Sequence, residues 1–471
     1  MFLRRSQLSA TLGFALVLLT VGLRPAAAQV AVGGVALDVV GDVGGGAAGG
    51  IDIDAQGVVT PDFSIVKGQR LSQKRLEEAA GKLLSDDVNQ FSPVRKVSLV
   101  RLEAACQEFA ANNQDVTPEM KFLAGLQRID YVFVYPETHD LVIAGPAEGF
   151  AADADGRPVG ISTGRPPLRL DDLIVALRTL ERAGTIGCSI DPVPERLAAL
   201  QQYVLANSGP VLQGQAVRRF REMTEVLGMQ DVKVWGVPAE THFGQLLVEA
   251  DYRMKRLSLA LENPRVRGFQ SQLGLLRAQG NAIQRFWFIP LYDAFQTTED
   301  RNAFQFAGQR AQLLSQEEYT DQAGRRSDAP FTRLSTQQFA KGFTDKFPEL
   351  ADKLPVFAEL QNVFDLAVLA ALIKKERLAD RVDWKMPLFL DADRVKVPTG
   401  PAPRQVKSVF NYKKAQRGIL VALIGGGVTI DPLRTVQSAE FKVDPANRLD
   451  GVRNSATAGA PAAEQASWWW D

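Results

Sequence analysis

A chain of 471 residues, 46% hydrophobic and 23% charged, carries enough apolar side chains for two or three folded domains, which excludes overall disorder. Basic and acidic residues balance at 54 each, so nothing in the charge marks a nucleic-acid or anionic-lipid surface. Two histidines, His139 and His242, exclude a three-histidine metal centre.

Residues 1–28 read as a secretory signal: Arg4 and Arg5, an apolar run from Leu8 to Leu23, then Ala26-Ala27-Ala28 as a cleavage site. The mature chain is expected to begin near Gln29, in the periplasm or cell envelope, with no transmembrane span left after cleavage. No Cys stands at the cleavage point, which argues against a lipid anchor. Gln7 and the absence of a cofactor motif favour the ordinary secretory route over the twin-arginine one. Residues 29–59 form a Gly-rich leader with too little apolar surface to offset the cost of ordering it. Asp52-x-Asp54-x-x-Gly57 resembles the start of a calcium loop, but Phe63 stands where the twelfth, acidic ligand belongs. Asp153-Ala154-Asp155-Gly156 reads as a hairpin turn.

The expected fold class is α+β, with helices, short antiparallel sheets and two domains, because strands and helices do not alternate and no GxGxxG or P-loop occurs. An N-terminal domain over 60–190 should hold helices at 71–84 and 97–111 and a hairpin of strands 131–135 and 141–144. Asp171 should then cap a helix. A C-terminal domain over 191–453 opens with helices at 194–205 and 217–226. Residues 232–263 follow as a strand at 232–235, a turn at Gly236 and Pro238, and a helix capped by Thr241. Leu247, Ala250, Met254, Leu257 and Leu261 form its buried face. Glu249 with Arg253 and Asp251 with Lys255 have the spacing of surface ion pairs worth about 0.2 to 0.5 kcal/mol each.

Short antiparallel strands are expected at 284–289, 292–296, 303–306 and 311–314, a polar loop at 315–334, and helices at 335–347 and 355–378. The first of these strands contains RFWFIP, which reads as buried on both faces. The last helix is apolar nearly all round from Leu366 to Ile373, interrupted by Glu359 and Asp365, and too short in its unbroken run to span a bilayer. Strands at 420–424 and 428–430 flank Gly425-Gly426-Gly427, which lacks the Lys-Ser/Thr of a phosphate loop. From 454 the chain is small and polar, a disordered tail ending in Trp468-Trp469-Trp470-Asp471. The tryptophans either dock on their own domain or bind an envelope partner.

The inventory for catalysis is thin. Both histidines occur in Glu-Thr-His, as Glu137-Thr138-His139 and Glu240-Thr241-His242, a recurrence that would suit a general acid/base pair or a two-histidine, carboxylate metal site if the two meet. Otherwise each is a turn or helix-start residue satisfied by hydrogen bonds. Glu249 and Asp251 point about 200° apart on a helix and cannot pair, though either can face a cleft with His242. Ser189 lacks the second glycine of GxSxG, and with Asp191 reads as a cap for the next helix. HExxH is absent, and no motif implies a metal or a cofactor. Cys106 and Cys188 either form one disulfide, worth about 4 kcal/mol by loop entropy, or stay reduced in the core.

ETHFGQLLVEADYRMKRLSLALE resembles the most distinctive block of an uncharacterised family of exported planctomycete proteins, a domain of unknown function. LVIAGPAEGF, GRPPLRLDDLIVALR, IGCSIDP, RFWFIPLYD and the terminal WWWD are similar to the same family. The resemblance implies export and supplies no catalytic residues. Two classes of function follow. One is an exported, non-catalytic structural or interaction protein of the envelope; the other is a periplasmic hydrolase or metal-dependent enzyme using His242 with Glu240, and with Asp251 or His139.

Overall fold

A computed structural model describes residues 50–62, 69–179, 184–207, 213–277, 283–321, 323–415, 418–422, 424–461 and 467–471. Residues 1–49, the expected signal and the first part of the expected leader, lie outside them. Residues 50–59, also expected as leader, are instead a strand, a turn and the start of a second strand, because Ile51, Ile53 and Val59 supply buried apolar side chains. The fold is α+β, as expected, but its strands gather into two large sheets of mixed direction.

The first sheet has nine strands. Ile51–Ile53 and Val58–Pro61 form one edge, followed by Gln405–Lys407, Met229–Trp235, Ile186–Pro192, Ile424–Ile430, Ile283–Leu291, Arg310–Thr320 and Arg326–Asp328. Ile283–Leu291 runs antiparallel to Arg310–Thr320 and parallel to Ile424–Ile430. The second sheet has seven strands, Phe441–Val443, Phe295–Thr297, Ala303–Gln305, Tyr131–Tyr135, Asp140–Ala147, Ser92–Ser98 and Trp469–Trp470. Both halves of the chain therefore supply strands to both sheets. The boundary expected at 190 falls inside the strand Ile186–Pro192.

Two helices organise the interior. His242–Ser258 packs on the strands Ile186–Pro192 and Ile424–Ile430. Thr241 caps it by accepting from the Gly244 amide, and Leu247, Ala250, Met254 and Leu257 are buried as their spacing predicts. Leu261 lies beyond the helix and is exposed. Pro355–Lys375 packs against that helix, the helices Leu170–Arg178 and Pro432–Ser438, and the strand Arg310–Thr320. Every residue from Val356 to Ile373 is buried, so its length and hydropathy are those of a core helix.

Asp365 on this helix joins the two sheets. Its carboxylate accepts from the Ile129 amide at 3.0 Å, the Tyr292 hydroxyl at 2.8 Å and Arg310 Nε at 3.3 Å. Arg310 continues to the Ile129 carbonyl and to Asp130, just before the strand Tyr131–Tyr135.

The loop expected at 315–334 is instead the end of the strand Arg310–Thr320, a hairpin and the strand Arg326–Asp328. Its polarity misleads because the buried Glu317 is paired with Arg333, and the buried Glu318 with Arg285 and Arg326. The tail expected to be disordered from 454 begins instead within the helix Arg448–Ala458, where Leu449 and Ala456 are buried beside Trp470. RFWFIP buries Phe286 and Phe288 fully, while Trp287 and Ile289 on the other face stay partly exposed.

Candidate functional site

His242 is the first residue of its helix, and its ring lies between two carboxylates from different helices. Nδ1 is 2.9 Å from Asp172 Oδ2, and Nε2 is 3.7 Å from Glu359 Oε1. Asp172 comes from the first turn of the helix Leu170–Arg178, and Glu359 from the second turn of Pro355–Lys375. Burial, then nearby Arg169, lowers the His242 pKa from its ordinary value, against the pull of Asp172. The positive end of the helix acts in the same direction. The ring is therefore neutral at pH 7, and an Nδ1–H donated to Asp172 leaves Nε2 as an acceptor facing Glu359.

Glu359 leads on to Arg157. One guanidinium nitrogen of Arg157 contacts Glu359, and the other is 2.7 and 2.9 Å from the two oxygens of Glu249. Arg157, Glu249 and Glu359 are each at most 4% exposed. Arg157 is positioned by the turn Asp153–Gly156, where Asp153 accepts its backbone amide at 2.9 Å. Glu249 lies two helical turns after His242 and so on the same side. It also accepts the Gly50 amide at 2.9 Å.

Arg157 and Glu249 form part of the floor of a cleft of about 1030 Å³. Arg253, Arg256, Glu262 and Arg265 line its wall with Ile161, Leu261 and Val356. Arg253 donates to Glu262 at 2.8 Å. Glu249 and Arg253 thus have the helical spacing of a pair, yet each binds a residue outside the helix.

The other carboxylate of this helix turns away. Asp251 is fully buried against the first sheet and pairs with Lys255 at 3.3 Å, while Lys255 Nζ also donates to the Ile190 carbonyl at 2.8 Å. The expected surface pair is thus an interior one. Gly426 explains how it fits, since a Cβ there would collide with the Asp251 carboxylate. Gly425, Gly426 and Gly427 accordingly lie inside one strand, Ile424–Ile430, and not between two.

Burial pushes the Asp251 carboxyl up to about 6, with Lys255 pulling it back down. The folded state therefore holds a proton that the unfolded state loses nearer pH 4, and this group's contribution to stability falls as pH rises through 6. Relative to Asp251→Asn, the wild type should gain up to about 3 kcal/mol between pH 8 and pH 4 in urea melts. Equal pH dependence of the two proteins would show that Asp251 is ionised throughout.

The remaining sequence candidates scatter. His139 is exposed at a left-handed position, φ 53°, in the turn between the strands Tyr131–Tyr135 and Asp140–Ala147, with Asp383 nearby. It shares no partner with His242, so the repeated Glu-Thr-His assembles no site. Glu240 is exposed, and its carbonyl serves the Gly400 amide; the carboxylates at His242 are Asp172 and Glu359. Ser189 lies within a strand, and Asp191 binds Arg326 at 2.7 Å and does not cap the helix Pro194–Ala206. Cys106 and Cys188 are free, buried thiols on a helix and a strand. Burial pushes Cys106 up to about 12 and Cys188 well above its ordinary value, so both are inert core residues.

Sequence reasoning missed Asp172, Arg157 and Glu359 as site residues. The available signal was the isolated acid in an apolar helix, because a buried carboxylate requires a cation or donors. Among the described residues no group of three or more His, Cys, Asp or Glu side chains is arranged to hold a metal.

Comparison with curated proteins and with solved structures returns no match. Residues 188–271, which carry His242, Glu249, Asp251 and Lys255 but not Asp172, Arg157 or Glu359, match the family described as Protein of unknown function (DUF1598).

Proposed function

We propose that this is an exported, non-catalytic binding protein of the cell envelope whose cleft over Arg157 and Glu249 receives a polar ligand carrying both charge signs. The observation that carries the reading is a cleft of about 1030 Å³ whose fixed floor is an ion pair and whose wall mixes arginines, a glutamate and apolar side chains. That volume lies at the upper end for small-ligand sites, and the mixed lining favours an amphipathic, zwitterionic molecule such as a short peptide. The basic, apolar, small-residue pattern of residues 1–28 supports export.

The enzyme reading is favoured by one observation, the Asp172–His242 bond, which orients an imidazole as catalytic dyads do. Against it, Nε2 faces the Glu359 carboxylate, 3.7 Å away and beyond hydrogen-bond distance, and not an activated hydroxyl or thiol.

Titration with a panel of di- and tripeptides of each charge pattern tests the binding reading. A ligand at about 100 times its Kd stabilises by about 2.7 kcal/mol, a readily measured rise in melting temperature. Zwitterionic members should give that rise, and Arg265→Glu should weaken those with an acidic side chain. If no peptide shifts melting while the protein hydrolyses one in a His242-dependent manner, the enzyme reading replaces this one.

A further inference from the structure

The segment Ser467–Asp471 docks on the chain itself, in the manner of a bound peptide. Trp469 and Trp470 pair antiparallel with Val97 and Lys96 at the edge of the second sheet, and the Ser98 amide donates to the Trp468 carbonyl at 2.9 Å. Trp468 and Trp470 are buried, and the Trp470 indole donates to the Ala456 carbonyl at 2.8 Å. Arg95 stacks its guanidinium 4.7 Å from the Trp469 ring.

Arg95 gives the groove its chemistry. It is fully buried, and its carboxylate partner is Asp471, which receives two bonds of 2.8 and 2.9 Å. The other donors are held by the carbonyls of Val88, Ala124, Asp87 and Gln90. Those carbonyls fix the orientation of the guanidinium without neutralising it. The receptor is thus built from residues 87–124 and 456, and the ligand from residues 467–471. Strand addition for affinity, side-chain pockets for specificity and a charge-assisted fork are the elements of peptide recognition.

We propose that this edge is a peptide-recognition groove for an acidic, tryptophan-rich strand. Its occupant is Ser467–Asp471 of the same chain. Covalent attachment raises the effective concentration of the segment and keeps the groove filled. A free strand of the same sequence competes for it.

The test uses the full chain with a protease site in place of residues 462–466, cut after folding. A fluorescent peptide of the sequence Ser-Trp-Trp-Trp-Asp should then enter the groove saturably and be displaced by unlabelled peptide. The same peptide ending in Asn should bind about ten- to a hundredfold more weakly, the loss expected for a buried charge-assisted pair. The proposal is overturned if the cut protein unfolds, which would make the segment an integral part of the fold. It is equally overturned if the labelled peptide does not exchange, or if the Asn peptide binds as well as the Asp peptide.

Discussion

Replacing Arg157 with Met should lower the unfolding free energy by about 3 to 5 kcal/mol, the cost of leaving buried carboxylates without their cation. Arg157 binds both oxygens of Glu249 and touches Glu359, and all three side chains lie in the interior. Its loss also uncouples the hairpin that carries it from the helices His242–Ser258 and Pro355–Lys375. Urea denaturation measures the change directly. Neutralising Glu249 and Glu359 to Gln in the same protein should restore most of the loss, because the penalty lies in uncompensated charge and not in packing. A single Arg157→Met variant within 1 kcal/mol of the wild type would remove this ion pair as the foundation of the cleft.

Asp365→Ala should cost about 3 to 5 kcal/mol as well, by a different route. It orphans the buried Ile129 amide and the part-buried Tyr292 hydroxyl, donors worth about 1 to 3 kcal/mol each when left unsatisfied away from water. Arg310 loses one carboxylate and keeps Asp130. Asp365→Asn retains an acceptor and should lose about half as much. The Ile129 amide reports the mechanism, and its hydrogen exchange should accelerate in the Ala variant beyond the change in global stability. Unchanged protection at Ile129 would mean that the two sheets are held together elsewhere.

The helix His242–Ser258 was legible because its signals are local: a Thr cap, three-and-four spacing, and a proline beyond its end. What its charges do was not, since the partner of Glu249 is 92 residues away and follows a hairpin turn that gives no hint of the pairing. Helical spacing suggests Arg253, and burial selects Arg157. The same limit explains 315–334, where acidic residues suggested solvent but point toward arginines. Gly425-Gly426-Gly427 reads as an interval between two strands because no sequence pattern says that a carboxylate will press against a strand there. Glu359 and Asp365 were conspicuous against their apolar neighbours. Their burial was implied by the helix, whereas the identity of their cations was not.

The pairing of Trp469 and Trp470 with Val97 and Lys96 also bears on how the molecule is made. The two members of the Arg95–Asp471 pair are 376 positions apart, so an early strand stays uncovered at one edge throughout synthesis of nearly everything between them. Contacts of such separation are slow to form, and an open edge is the template on which chains aggregate. The nascent protein thus passes most of its time on the ribosome as an incomplete sheet. Its yield should depend on how well that edge is shielded until the tryptophans emerge.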